Sequence, residues 1–130
     1  MPKLTLGYWK IRGLAASIRY QLEYSGVDYD MKEYQQGNGP EFSRQDWLDE
    51  KQNLGLDFPN LPYMIDGDFS LTETFAIHKY LADKFAPELL GTDAEQQGVV
   101  NMLSGVILDI KNGVTGPCYS GDKEAAMKCI

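Results

Sequence analysis

The 130-residue sequence has few of the residues that build metal clusters or disulfide frameworks. Its two cysteines, Cys118 and Cys129, do not form a Cys-x-x-Cys pair, and the single histidine, His78, cannot complete a metal cluster with them. We therefore expect free thiols, a reducing compartment and no bound metal. The sequence lacks the run of roughly 18 apolar residues that a membrane-spanning helix needs, and its N-terminal apolar run is too short for a signal peptide. These absences predict a cytoplasmic protein without a membrane partner.

Basic residues are scarce as well. Twelve Lys and Arg face nineteen Asp and Glu, which gives a formal net charge of −7. Because nucleic acids and anionic membranes attract basic patches, we expect neither as a main partner, although a few local cations can still hold a small anion. The apolar fraction of 43% excludes an intrinsically disordered chain, and a chain of this length can bury a core without a disulfide or metal.

Hydrophobic patterns predict a βαβ unit at the start of the chain. Alternating apolar residues over 4–8 are typical of a half-buried strand, and apolar residues at every fourth position over 14–22 predict a helix that Gly26 ends. Residues 28–34 favour a second strand. Strand, helix and strand within about thirty residues match the size of a βαβ unit with a right-handed crossover.

The next segments predict a loop, a short helix and a hairpin. Residues 35–43 are polar and contain Gly and Pro, as in an exposed loop, and residues 44–51 favour a helix. The apolar run 63–65, an Asp-Gly turn at 66–67 and a return strand at 69–71 predict a β-hairpin.

Two further helices follow the hairpin. We expect Thr72 to cap a helix that ends before Pro87, and His78 to lie at its surface because it is off the apolar stripe. Thr92 has the spacing of a capping box for a last helix, and Gly113, Gly116 and Pro117 are expected to end its pattern. The apolar stripe of this last helix comprises Val99, Leu103, Val106 and Ile110.

This order of elements predicts the domain organisation. A βαβ unit, a hairpin preceded directly by a proline and a closing helix indicate an α/β thioredoxin-like domain over residues 1–85. Residues 86–92 resemble a linker. The long helix after the linker belongs to a second, partial all-helical unit, residues 93–130, because its apolar stripe must bury against a partner and too little chain remains to supply one.

Several segments resemble the mu-class glutathione transferases: LGYW at 6–9, IRGL at 11–14, WL at 47–48 with EK at 50–51, and above all LGLDFPNLPY at 54–63. The resemblance runs from residue 2 to about 85 and continues more loosely to 118–119. It implies a glutathione-binding domain followed by an all-α domain that is truncated here. It further implies a homodimer that conjugates glutathione, as co-substrate and without another cofactor, to hydrophobic electrophiles in detoxification.

The chemistry of such an enzyme centres on a thiol. An unperturbed thiol has a pKa near 8.5, and lowering this pKa by two units requires about 2.7 kcal/mol of preferential interaction with the thiolate. A charge-assisted hydrogen bond from a phenol supplies roughly 1.5–3 kcal/mol of this, and a nearby helix N-terminus adds to it. The resemblance implies that Tyr8, between the first strand and the first helix, is this catalytic hydroxyl. Ordinary packing of an amphipathic tyrosine is the alternative.

The resemblance implies that Arg44, Trp47 and Lys51 hold the glycyl end of glutathione. Their i, i+3, i+7 spacing predicts that they share one face of a short helix. The alternative is a solvated charged face beside a tryptophan of the core.

The resemblance assigns the other parts of glutathione to two pairs of residues. Asn60 and Leu61 would hold the cysteinyl part, with a cis peptide bond before Pro62. Glu73 and Thr74 stand where the family has Gln and Ser. Thr74 would offer its hydroxyl and backbone N–H to the γ-glutamyl carboxylate, while Glu73 could pair with the γ-glutamyl amine or simply favour the helix start.

Other residues take roles in the substrate site and the dimer by the same resemblance. Trp9 and Leu14 match the lining of the substrate site, although a core role is equally compatible. Asp109 would reach the amine of glutathione in the other subunit, and Tyr119 would assist electrophilic substrates. Phe58 would lock into a pocket of the partner subunit.

Two other functions remain open from the sequence. A truncated, non-catalytic glutathione-binding or protein-interaction module would use the stripe of the last helix for self-association or partner binding. A disulfide oxidoreductase of thioredoxin type is disfavoured because residues 8–11 contain no cysteine where its redox pair would lie.

Overall fold

The computed structural model describes residues 3–121 and 123–128, and the chain forms two compact units, Met1–Pro87 and Glu88–Ile130. The elements of the first unit are β1 (Leu4–Trp9), α1 (Ala15–Tyr24), β2 (Tyr29–Tyr34), α2 (Gln45–Leu48), β3 (Tyr63–Asp66), β4 (Phe69–Thr72) and α3 (Thr74–Phe85). A short 3-10 helix, Pro87–Leu89, spans the boundary, and the second unit contains α4 (Ala94–Ser120) and α5 (Lys123–Lys128). The boundary between the units lies inside the segment 86–92 that the sequence favours as a linker.

The strands of the first unit form one mixed sheet in the order β2-β1-β3-β4. β1 pairs in parallel with β2, and β3 pairs antiparallel with both β1 and β4. The predicted βαβ unit and hairpin are therefore confirmed. The hairpin turn lies one residue later than predicted, at Gly67 and Asp68, because Asp66 still pairs with Phe69. Gly67 has a φ of 63°, and a two-residue hairpin loop needs such a left-handed residue.

The core lies between the sheet and the apolar faces of α1 and α3. Leu6 of β1 and Met64 of β3 are fully buried, as are Ile18 of α1 and Ile77 of α3. The two helices contact each other, and α3 also contacts β3 and β4. The apolar periodicity of the sequence thus predicted the buried faces correctly.

The start of α3 differs from the prediction. Thr72 does not cap this helix; it is buried and ends β4. Glu73 is the residue before the helix, with a φ of 73°, and its side chain makes no capping hydrogen bond. The chain turns from strand to helix within this one residue, so the helix begins one position later than an ordinary Thr cap allows.

The start of α4 is also shifted by one residue. Asp93, rather than Thr92, caps the helix, and its side chain accepts the N–H of Gln96 at 2.9 Å. Gln96 Oε1 accepts both the backbone N–H and the hydroxyl of Thr92 at 3.0 Å. The Asp93 carboxylate thus caps the helix, while the Gln96 side chain reaches back to Thr92, the residue before the cap, an arrangement that the Thr92 spacing did not reveal.

The helix that begins at Ala94 is longer than predicted. α4 continues through Gly113 and Pro117 to Ser120, and Gly121, with a φ of 75°, ends it. A glycine stops a helix mainly when it adopts the left-handed conformation, and Gly121 is the glycine that does so here. The residues of its predicted apolar stripe are all exposed: Val99, Leu103, Val106 and Ile110. No helix within the described ranges is long and apolar enough to cross a membrane.

Candidate active site

Tyr8 lies at the carboxyl end of β1, where the strand gives way to α1. Its side chain is only 6% exposed. The phenol oxygen accepts the backbone N–H of Leu14, the residue before α1, at 3.1 Å. Gly13 has a φ of 41°, and a Cβ on it would overlap the Tyr8 hydroxyl and lie 2.7 Å from ring carbon Cε1. The turn therefore encloses the hydroxyl only because position 13 has no side chain.

The hydrogen bond from the Leu14 N–H favours negative charge on the Tyr8 oxygen, and also on an atom that accepts a hydrogen bond from the Tyr8 hydroxyl. The N-terminal N–H groups of a helix lack partners within the helix, and Leu14 has no side chain that could cap them. Tyr8 supplies the missing acceptor. A hydroxyl that accepts a hydrogen bond becomes a stronger donor, and the positive end of the α1 dipole acts in the same direction.

Trp47 forms the inner part of the predicted glycyl subsite. α2 spans only four residues, so Arg44 precedes the helix and Lys51 follows it. Bonds from the Leu48 N–H to the Arg44 oxygen and from the Lys51 N–H to the Trp47 oxygen continue the helical pattern on both sides, and the common face of the three residues stays a prediction. Trp47 is 5% exposed; its ring stacks on Tyr63 at 6.0 Å between centroids. In the part of the chain that the structure describes, the indole N–H of Trp47 has no hydrogen-bond partner. Since no fully buried side-chain nitrogen there lacks a partner, this N–H must be accessible at the surface.

A polar network that the sequence did not reveal adjoins Trp47. The Glu50 carboxylate accepts from Lys32 Nζ at 2.8 Å and from the Tyr34 hydroxyl at 3.0 Å, and the hydroxyls of Tyr34 and Tyr63 lie 2.9 Å apart. The Lys32 ammonium and the Tyr34 hydroxyl lower the pKa of Glu50, while burial raises the pKa of both tyrosines. Side-chain alternation along β2 predicts that Lys32 and Tyr34 share one face of the strand. No sequence pattern predicts that Glu50, 16 residues after Tyr34, contacts them.

The predicted cysteinyl clamp lies directly before β3. The Leu61–Pro62 peptide bond is cis, as expected. The Leu61 N–H donates to Asn60 Oδ1 at 2.9 Å, so a ligand that pairs with this N–H has to compete with the Asn60 side chain.

Glu73 and Thr74 lie at the junction of β4 and α3. Thr74 is the first residue of the twelve-residue helix and is partly buried. Backbone N–H groups at such a helix start form a favourable site for an anion. Glu73 is exposed, and its positive φ is uncommon for a residue with a side chain and costs of order 1–3 kcal/mol.

The remaining N-terminal residues pack as part of the core. Trp9 makes an edge contact with Tyr34, and Leu14 is partly buried against the core cluster. His78 is not the surface residue that the sequence predicted. It is partly buried and joins α3 to α1, since its Nε2 lies 2.9 Å from Ser17 Oγ and its backbone oxygen accepts from Gln21 Nε2 at 3.0 Å.

Asp109, Cys118 and Tyr119 lie on α4, in the second unit. Asp109 is exposed, Cys118 carries a free, exposed thiol, and Tyr119 is 81% exposed. Phe58 lies in the first unit and is 78% exposed. The other cysteine, Cys129, is outside the described residues. Among the residues within the described ranges, no group of three or more His, Cys, Asp or Glu is placed to hold a metal ion.

Comparisons with known proteins identify the family of this chain. The family model of the glutathione S-transferase N-terminal domain matches residues 4–83. Glutathione S-transferase Mu 4 of Mus musculus is 48% identical over 124 residues, which are 95% of this chain and 56% of the mouse protein. A glutathione S-transferase of Dermatophagoides pteronyssinus is 47% identical over 122 residues, 94% of this chain and 55% of the mite protein.

The solved structures confirm the thioredoxin-like α/β fold class. The crystal structure of the glutathione S-transferase Blo t 8 superposes with a TM-score of 0.80 at 35% identity, over 96% of this chain and 55% of that one. The chain therefore spans about half the length of the relatives that it matches. Both the family model and the mu-class relatives confirm the resemblance seen in the sequence, and the chain belongs to the glutathione S-transferase family.

Proposed function

We propose that this protein binds glutathione and transfers its sulfur to hydrophobic electrophiles, with Tyr8 as the catalytic residue. One observation carries the proposal: the Tyr8 hydroxyl accepts the N–H of Leu14 at the start of α1, 3.1 Å away. This contact orients the phenol and strengthens its O–H as a donor to a thiolate. Membership of the transferase family supports the same function.

In the proposed reaction, the thiol proton leaves to solvent and the Tyr8 O–H stabilises the resulting thiolate. The sulfur lone pair attacks the electrophilic carbon, a C–S bond forms, and the leaving group departs with its bonding electrons. Tyr8 keeps its own proton throughout, because it acts by hydrogen bonding rather than as an acid. A thiol pKa lowered by two units, from about 8.5 to 6.5, raises the thiolate fraction at pH 7 about 25-fold.

Three groups of residues would bind the ligand. Arg44, Lys51 and the indole N–H of Trp47 would donate to the glycyl carboxylate. Asn60 and Leu61 would hold the cysteinyl part before the cis proline. Thr74 would bind the γ-glutamyl carboxylate at the start of α3, and Glu73 would pair with the adjacent amine. Trp9 and Leu14 would line the substrate site beside Tyr8.

The roles that need the second unit or a second copy belong to this proposal too. We propose a homodimer in which the exposed Phe58 enters the partner subunit. Asp109 would reach the amine of glutathione in that subunit, and Tyr119 would contact the electrophile. We also propose a cytoplasmic location, which suits a free, exposed Cys118 thiol, and an all-α second domain from residue 93, after the linker 86–92.

Isothermal titration calorimetry with glutathione, followed by a conjugation assay on the same sample with an aromatic electrophile, tests the function. We expect binding and turnover, and a drop in the conjugation rate of Tyr8→Phe at pH 7 of about 25-fold. Tyr20→Phe is the matched control, because Tyr20 is an exposed tyrosine on α1. Equal rates for wild type and Tyr8→Phe would refute the role of Tyr8.

The exposed stripe of α4 favours a second candidate function, a non-catalytic glutathione-binding or protein-interaction module. Glutathione binding without turnover would favour this candidate. Sedimentation analysis provides the second readout: a clean monomer that binds no partner would contradict an interaction role for the stripe.

A further inference from the structure

We infer that Glu50 is a positioning residue for the glycyl end of glutathione. The geometry points to a carboxylate that ties α2 and the turn after it, which carry Trp47 and Lys51, to the sheet. The inference rests on the proposed glutathione site and names a residue that does not itself contact the ligand.

Glu50 shares one turn of backbone with the residues that it would position. The N–H groups of Glu50 and Lys51 both donate to the Trp47 carbonyl oxygen, at 3.2 and 2.9 Å. Any movement of the Glu50 backbone therefore displaces Trp47 and Lys51 with it. Helix α2 itself is only four residues long, too short to hold its shape without such anchors.

The Glu50 side chain reaches across to β2. One oxygen accepts from Lys32 Nζ at 2.8 Å, and the other accepts from the Tyr34 hydroxyl at 3.0 Å. Tyr34 is almost fully buried in β2, and its hydroxyl meets that of Tyr63 in β3. The carboxylate is thus anchored to two neighbouring positions of one strand and, through Tyr34, to a second strand.

The same two tyrosines enclose the indole ring. Tyr34 packs edge-on against Trp47 at 5.2 Å between centroids, and Tyr63 stacks on it at 6.0 Å. The ring of Tyr34 therefore both carries the hydroxyl that binds Glu50 and, together with the ring of Tyr63, fixes the orientation of the Trp47 indole. Removing the carboxylate takes from the Tyr34 hydroxyl the acceptor that Glu50 provides, and so loosens the ring pair that fixes Trp47.

A second carboxylate holds the other end of the segment. Asp46 Oδ2 accepts the backbone N–H of Gln35 at 2.6 Å, at the start of α2. With this end fixed, loss of the Glu50 tie displaces the part that carries Lys51 and leaves the helix start in place. The lowered pKa of Glu50 and the raised pKa of Tyr34 keep both groups in their bonding forms at neutral pH.

The decisive experiment compares Glu50→Gln with Asp49→Asn by calorimetry on the full chain. Both variants remove one negative charge from the same segment, but among the described residues the Asp49 carboxylate accepts only from the Gln45 side chain of the adjacent helix and does not reach the sheet. We expect glutathione to bind Glu50→Gln about three- to tenfold more weakly, since the pair with Lys32 is about half exposed, and to bind Asp49→Asn as it binds wild type.

The ligand γ-glutamylcysteine separates positioning from general damage, because it lacks the glycyl carboxylate. We expect wild type and Glu50→Gln to bind this dipeptide equally. In the conjugation assay the KM for glutathione should rise while kcat stays within about twofold, as for a lost binding contact. Lys32→Gln is the second variant, in case Glu50→Gln does not fold, and should weaken glutathione binding in the same direction.

These binding experiments distinguish failure of the Glu50 inference from failure of the proposed function. If wild type does not bind glutathione, both the function and the inference are overturned. If wild type binds but Glu50→Gln binds glutathione as tightly or more tightly, only the inference is overturned. Equal weakening toward glutathione and γ-glutamylcysteine also overturns it, because the effect would then be global.

Discussion

The most informative structural perturbation is Gly13→Ala, because it tests whether the site depends on the enclosure of the Tyr8 hydroxyl. Position 13 has a φ of 41°, and an added Cβ would overlap that hydroxyl. The ring cannot retreat freely, since Tyr8 is buried in the strand. We expect the substitution to push the phenol away from the Leu14 N–H.

Gly26→Ala is the matched control for the size of this effect. Gly26 follows the end of α1 with a φ of 64°, and a Cβ there meets nothing within 4 Å. Both alanines bear the cost of a left-handed conformation, about 1–2 kcal/mol. Gly13→Ala adds overpacking, about 1–3 kcal/mol, and the loss of the hydrogen bond from Leu14, about 1 kcal/mol. We therefore expect Gly13→Ala to lose about 3 kcal/mol more unfolding free energy than Gly26→Ala.

Urea unfolding and the conjugation assay measure the two consequences. We expect a lower urea midpoint for Gly13→Ala than for Gly26→Ala at an unchanged m-value. The conjugation rate at pH 7 should fall about as far as in Tyr8→Phe, roughly 25-fold, because the thiolate loses the same donor. Gly26→Ala should retain the wild-type rate. If the two alanine variants unfold at the same urea concentration, the enclosure of Tyr8 is not what position 13 provides.

Two further predictions concern stability. Lys84, together with Tyr80, lowers the pKa of Asp66 below its ordinary value of 3.8. The ionised Asp66 therefore stabilises the folded state above about pH 4, and this stabilisation is lost as the pH falls through the folded-state pKa. Asp66→Asn should cost about 1 kcal/mol at pH 7, and chemical denaturation should show this difference shrinking toward pH 2; a constant difference contradicts the linkage. Asp93→Ala should destabilise the start of α4 by about 1 kcal/mol, seen as faster amide hydrogen exchange at Gln96, and unchanged exchange there would refute the assigned cap.

Local patterns were sufficient for most of the elements because each depends on a short stretch of chain. The stripe that includes Ile18 and the alternation that includes Leu6 predicted faces that are indeed buried. The errors lie at helix ends. Thr72 and Thr92 have the right chemistry for caps, but backbone geometry one residue later decided both helix starts.

Part of the candidate site could be predicted from the sequence, and part required the structure. The motif that contains Tyr8 and the ten-residue run up to Tyr63 identified the family and, through it, the residues proposed to touch glutathione. The contact of Tyr8 with Leu14 was implicit in the strand-to-helix turn, but the requirement for a bare Gly13 was visible only once the φ angle and the ring position were known. The roles of Asp109, Tyr119 and Phe58 stay predictions.

By itself, the sequence determined the α/β class, the order of the strands and helices from β1 to α4, and the family, because these follow from periodicity and contiguous motifs. Only the tertiary structure decided that Glu50 meets Lys32 and Tyr34 and that His78 joins two helices. The physical reason is distance along the chain. Side chains 16 to 61 residues apart become neighbours only when the sheet and its helices assemble, and no local pattern records which polar groups will then satisfy one another.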